Sequence, residues 1–238
     1  DIDGTAGTNK ISAGLTSSGG NTLNSLDEID GKGGTDTLNA SIATSITPGS
    51  ITNVENINLT FEAAKTFNAT NVSGVTTFTD VGSTAAGTIS NIGTTSSKLK
   101  VSDNSVGATF TYKASAVTGT ADSVDLTLAN ATGGNTISTV ITGAVETLNL
   151  TSSTSANSVR LDSAATTLNI SGSADLTLGA SSTALDNTTT IDASAATGAI
   201  TFAHDHASAA VTITGGSGND AITLTGTAQT EDTVSGGA

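Results

Sequence analysis

The fold this sequence predicts is all-β: a parallel β-solenoid with coils of about 21 residues. Three observations predict it. Short apolar-alternating segments recur between clusters of Ser, Thr, Gly, Asn and Asp, the pattern of strands bounded by turns. Their apolar centres keep a period: Ile57, Phe78 and Leu99 lie 21 apart, and Phe67, Ile89 and Phe110 form a second series spaced 22 and 21. The stretch 51–60 returns as 141–151 with one residue inserted, keeping Val54-Glu55 as Val145-Glu146. Two interleaved series with one common spacing describe a chain that winds, each coil adding one strand to each of two parallel sheets. A β-sandwich, the competing arrangement, has no reason to repeat every 21 residues.

Composition sets the boundary conditions. Of 238 residues 47 are Thr, 27 Gly and 16 Asp; there is one Tyr and one Pro, with no Cys, Met or Trp. The core is therefore thin and made of Val, Ile, Leu, Ala and a few Phe, unlike that of a large globular enzyme. Twenty-one acids against seven bases give a charge of −14, which excludes nucleic acid and anionic membranes as partners and favours a divalent cation between carboxylates. The absence of Cys removes disulfide, thiolate and zinc-thiolate chemistry and is compatible with secretion. No apolar run reaches the roughly 20 residues that insert into a bilayer. The ending at Ser235-Gly236-Gly237-Ala238, in mid-motif, predicts a piece of a longer protein.

Along the chain, residues 1–40 read as degenerate calcium-binding turns. Gly31-Lys32-Gly33-Gly34-Thr35-Asp36-Thr37-Leu38-Asn39 keeps most of the nonapeptide G-G-x-G-x-D-x-U-x, with Lys32 in place of the second Gly. Asp27 and Ile29 repeat its acid and aliphatic nine residues earlier. Residues 4–12 form a third copy with Asn9 in the acid position, expected to bind nothing. Residues 41–210 are the solenoid coils; Leu148, Leu168, Ile191 and Val211 are expected to stack as one inward ladder, and Leu176, Ile200 and Ile222 as another. Residues 211–238 carry the full nonapeptide, Gly215-Gly216-Ser217-Gly218-Asn219-Asp220-Ala221-Ile222-Thr223, with Gly236-Gly237 as a second turn one coil later. Glycine carbonyls turned to one point plus the Asp carboxylate make a hard-oxygen site, and hard oxygens select calcium. The candidate ligands are Gly215, Ser217, Gly218 and Asp220 at one end and Asp27, Gly31, Gly33 and Asp36 at the other.

On the nonapeptide at 215–223, the run at 26–39 and the Val-Glu-x-x-Asn-Leu-like strands at 54–59 and 145–150, the chain resembles the RTX-type (repeats-in-toxin) calcium-binding proteins. Within them it is similar to the proteobacterial S-layer proteins. The resemblance implies Ca2+ as cofactor, export to the cell surface, and assembly with copies of itself into a two-dimensional lattice anchored, through regions outside this chain, to a surface polysaccharide.

Enzymatic readings are weaker. Asp122 with Asp125, and Asp162 with Asp175, have the residue types of a glycosidase pair, but a chain without Trp lacks sugar platforms and Arg160 stands alone as arginine. His204-Asp205-His206 reads as a surface connection without function. The pairs Thr109-Thr111, Thr188-Thr190, Thr212-Thr214 and Thr223-Thr225 suggest water-ordering rows, yet their spacings do not follow the coil. The expectation is a structural protein without catalysis; a β-helical adhesin or exoprotein of the RTX class is the alternative.

Overall fold

A computed structural model describes residues 1–133, 144–179, 185, 187–204, 210–226 and 230–237, and the backbone alone of 138–142 and 205. The chain winds as a β-solenoid of about nine turns with coils of about 22 residues, 51% strand and 3% helix. An 11-stranded parallel sheet, from Lys10–Ala13 to Thr233–Ser235, runs through all three sequence segments. An 8-stranded parallel sheet faces the other side of the core, and a 3-stranded sheet of Ile2–Asp3, Glu28–Asp30 and Ser50–Thr52 lies beside the first coils. Among the described residues no helix is long and apolar enough to cross a membrane.

Alternation makes each strand. In Thr37–Ile42 and Asn56–Phe61 every second side chain is buried, placing Leu38, Ala40, Ile42 and Ile57, Leu59, Phe61 inside and Thr or Asn outside. Stacked in register, Ile11, Leu38, Ile57, Phe78, Leu99, Leu126, Leu150 and Ile170 form one continuous inward ladder, so the predicted 21-residue series is a row of neighbours. Phe67, Ile89 and Phe110 form its counterpart in the other sheet.

Two expected ladders are corrected at one member each. Leu148, Leu168 and Ile191 stack as expected, but Ile213 follows them, not Val211. Both are buried on the same side, and the irregular lengths of the intervening turns decide which comes into register. Leu176 pairs with Ile200, whereas Ile222 pairs with Phe202, two residues further along.

The coil corners are held by a repeated polar device. An acid or amide side chain at the corner accepts the backbone N–H of an adjoining coil: Asp36 N–H donates to Glu55 Oε2 (2.7 Å), Asp122 N–H to Glu146 Oε2 (2.8 Å), Ala131 N–H to Asn157 Oδ1 (2.7 Å), Ala199 N–H to Asp175 Oδ1 (2.8 Å) and Val211 N–H to Asp232 Oδ1 (3.0 Å). This explains the internal repeat, since Val54 and Val145 are buried and the glutamate after each makes the same bond. Glu55→Ala and Glu146→Ala each leave a backbone donor unpaired and should lower stability by about 1–3 kcal/mol, with most of the loss recovered by Gln, which keeps an acceptor. Thermal denaturation of the four variants measures this; equal losses for Ala and Gln would assign the effect to charge.

Candidate functional site

The loops singled out by sequence stack on one another. Loop 31–36 lies on loop 4–9 residue for residue: a Cβ on Gly33 would touch Ala6, and one on Gly34, held at φ +109°, would meet Gly7 and Thr8. In the same way a Cβ on Gly215 would come within 2.5 Å of the Gly236 carbonyl oxygen, so the 236–237 turn sits on the 215–216 turn as expected. At Gly34 and Gly215 only glycine fits, because the backbone of one coil fills the space of a side chain on the next, whereas at Gly33 a methyl would make ordinary contact.

Asn9, Asp36 and Asp220 occupy equivalent places with different outcomes. The Asn9 Nδ2 donates to the carbonyls of Thr5 (3.3 Å), Gly7 and Gly31 (3.4 Å) and to Asp36 Oδ1 (2.8 Å), while its Oδ1 accepts from Thr5. Four oxygens thus converge on one neutral amide nitrogen. Asn157 repeats the device, its Nδ2 donating to Ser152 Oγ (2.8 Å) and the carbonyls of Ser153 (3.2 Å), Ser155 (2.9 Å) and Leu128 (3.4 Å).

Asp36 is fully buried, at 0% exposure. Its Oδ1 accepts from the backbone and side-chain nitrogens of Asn9, at 2.6 and 2.8 Å, but its Oδ2 has no hydrogen-bond partner and faces Gly31, whose Cβ would lie 2.6 Å away. At Asp220 both oxygens are taken, Oδ2 by Gly216 N–H (2.7 Å) and Oδ1 by Ile200 N–H (2.9 Å). The difference traces to Lys32. It stands where Gly216 stands in the other loop, adopts φ 68°, and sends its N–H to Asp30 Oδ1 (2.9 Å), so Asp36 loses that donor. The substitution that seemed to spoil the motif is what frees the carboxylate oxygen.

Asp27 is not brought to this place. It closes a local turn, accepting from the backbone and side-chain nitrogens of Asn24 (2.8 and 3.0 Å). Gly31 is buried and Gly33 half-buried in the loop, Gly215 is buried, Gly218 half-buried and Ser217 exposed. Among the described residues no group of three or more His, Asp or Glu is arranged to hold a metal, so any site here must draw on backbone oxygens.

The other candidates disperse into structure. Asp122 accepts from Gly119 N–H (3.0 Å) and Asp125 from Asn149 Nδ2 (2.9 Å). Asp175 is a corner acceptor, and Asp162 lies 3.8 Å from Arg160. His204 is corrected from a surface connection to a buried strand position, 1% exposed in Ile200–Asp205, with Nε2 2.9 Å from the Thr188 carbonyl oxygen. His206 lies outside the described residues. Thr188 is buried as well, so the outward threonine row that forms is a different one: Thr147, Thr167, Thr190, Thr212 and Thr233, in register across five coils.

One buried acid escaped sequence reading altogether. Asp80 takes an inward place between Leu59 and Val101, 1% exposed, with Ser83 Oγ donating to its Oδ1, and Asn104 Oδ1 accepting from Ser83 N–H (2.6 Å). Burial pushes its pKa up to about 6, against the opposing pull of Ser83 and Asn104. The sequence signal was available: Phe78-Thr79-Asp80 puts an acid at an alternate position of a predicted strand.

No family model, curated protein or solved structure matches this chain.

Proposed function

We propose that the chain is a calcium-stabilised solenoid segment of a secreted surface-layer protein, a structural element without catalysis that assembles with copies of itself into a lattice on the bacterial cell surface. The observation that carries the calcium assignment is Asp36: a fully buried carboxylate with one oxygen lacking a donor, in a glycine loop stacked on a second such loop. An unpaired buried charge is strongly unfavourable, and a cation beside it removes the penalty. In the equivalent place Asn9 answers the loop oxygens with an amide NH2, a neutral stand-in for a cation. Asp36, Gly31 and Gly33 are the ligands this reading favours, ahead of Gly215, Ser217, Gly218 and Asp220, whose carboxylate already serves two backbone donors. The self-repulsion of a chain at −14 opposes close packing of copies, and calcium between carboxylates lessens it.

The test is thermal denaturation with calcium and with chelator. For a module with Kd on the order of 10⁻³ M, calcium at ten times Kd should stabilise the wild type by about 1.4 kcal/mol. Asp36→Asn should be at least as stable as wild type in chelator, because the amide supplies its own donor, and should gain nothing from calcium. Asp220→Ala should lose stability in both conditions, since two backbone N–H groups lose their acceptor. A calcium increment retained in Asp36→Asn overturns the assignment, and electron microscopy showing no ordered sheets in calcium overturns the lattice.

A further inference from the structure

The seven cations of this chain are not evenly spent. Lys32 is shared by Asp3 and Asp30, Arg160 lies near Asp162, and Lys113 Nζ donates to the Thr70 carbonyl (2.9 Å). Lys98 and Lys100 stand two apart on the outer side of Lys98–Asn104, flanking buried Leu99, and among the described residues neither has a carboxylate at ion-pair distance. Their in-register neighbours on the preceding strand are Thr77 and Thr79, and Thr127 adjoins Lys100 on the next. The nearby acids also hold other donors: Asp125, beside Lys98 on the next strand, accepts from Asn149 Nδ2, and Asp103, at the strand end with φ 51° and within the field of Lys100, accepts from Asn130 Nδ2 (2.9 Å) and Ser102 Oγ (3.0 Å). Further along the same outer column, across Thr77, Asn56 and Thr37, stands Lys10. The strands between Lys10 and Lys98 show only neutral side chains there.

The 3-stranded sheet has the opposite character. Glu28 and Asp30 flank buried Ile29 as Lys98 and Lys100 flank Leu99, and Asp3 is in register with Asp30. With Asp1 they line one shallow depression, four carboxylates, two of which Lys32 bridges. On any strand, residues i and i+2 project from one side about 7 Å apart, so the two pairs of opposite charge have one spacing.

We propose that the Lys98–Lys100 face of one copy docks the Glu28–Asp30 face of a second copy. The occupant is argued from charge: among the described cations outside ion pairs, Lys98 and Lys100 are the two that stand together on one strand, and the chain's own acidic pair matches them in spacing. The contact is heterologous, using different faces on the two partners, so it propagates into rows unless its rotation closes a ring. The contact rests on the reading that copies assemble, but it does not depend on calcium.

The experiment is sedimentation of the purified chain at about 0.01 M ionic strength, where the Debye length is about 30 Å, and again at about 1 M. Wild type should associate at low salt and dissociate at high salt. Lys98→Glu with Lys100→Glu should weaken association at least about tenfold, and so should Asp3→Lys with Glu28→Lys, while an equimolar mixture of the two reversed proteins should restore it. All four positions are surface ones, and unchanged melting of the variants shows that the fold is intact. Wild-type monomers at low salt, reversed variants that associate like wild type, or a mixture that fails to recover each overturn the contact. Calcium-dependent sheets indifferent to both reversals would sink this contact and leave the lattice reading standing. Association sensitive to both reversals but indifferent to calcium would uphold this contact and overturn a role for calcium in assembly.

Discussion

Phe61→Ala should cost about 4 kcal/mol, the largest single loss expected in this chain. The ring is fully buried, in register with Ile42 on one neighbouring coil, and it packs so closely on Gly87 that any Cβ at that glycine would enter the ring. Removing it leaves a cavity that the solenoid cannot close, because the ladder spacing of about 4.8 Å is fixed by backbone hydrogen bonds above and below. The same geometry fixes the outcome of a double-mutant cycle. Gly87→Ala alone overpacks the core and should destabilise, whereas in the Phe61→Ala background the added methyl occupies part of the vacated space and should cost less or stabilise. Chemical denaturation of the four proteins measures the coupling; additive losses would show that Gly87 is dictated by backbone geometry and not by the ring.

Asp80→Asn should stabilise the protein at neutral pH by about 3 kcal/mol. Burial raises the Asp80 pKa from 3.8 to about 6, two units in round numbers at about 1.4 kcal/mol each. The folded state therefore binds this proton more tightly than the unfolded chain does. Its contribution is fully present below pH 3.8, declines as pH rises through the window to about 6, and is absent above it. The amide variant has no such titration, so the difference between variant and wild type should vanish near pH 4 and reach its maximum by pH 7. Because each coil of a solenoid touches only its neighbours, the effect should be concentrated in the coils around Asp80, where hydrogen exchange will locate it. A difference independent of pH would mean that Asp80 is neutral, or solvated, throughout.

The winding, the coil length and most of the core were set by the sequence itself. Alternation over three to six residues buries one side of a strand, and a recurring spacing near 21 makes the buried side continuous from coil to coil, both being properties of the local chain. Ile57, Phe78 and Leu99 needed nothing else to be recognised as neighbours. Register across irregular turns was decided only in three dimensions: Ile213 and not Val211 joins Ile191, because either satisfies alternation and turn length chooses between them. The loops divide the same way. Glycine spacing identified 31–36 and 215–220, and the stacking of 236–237 on 215–216 follows from the coil period, whereas 31–36 stacks on 4–9, 27 residues back, and not on the turn of Asp27. Which aspartate keeps a free oxygen did not follow, since that depends on where one backbone N–H points, and Lys32 sends its own to Asp30 while Gly216 sends its to Asp220. The role of Glu55 and Glu146 was visible only as a repeat, for a corner carboxylate finds its partner on a coil about 20 residues away, a contact that exists only once the chain has wound.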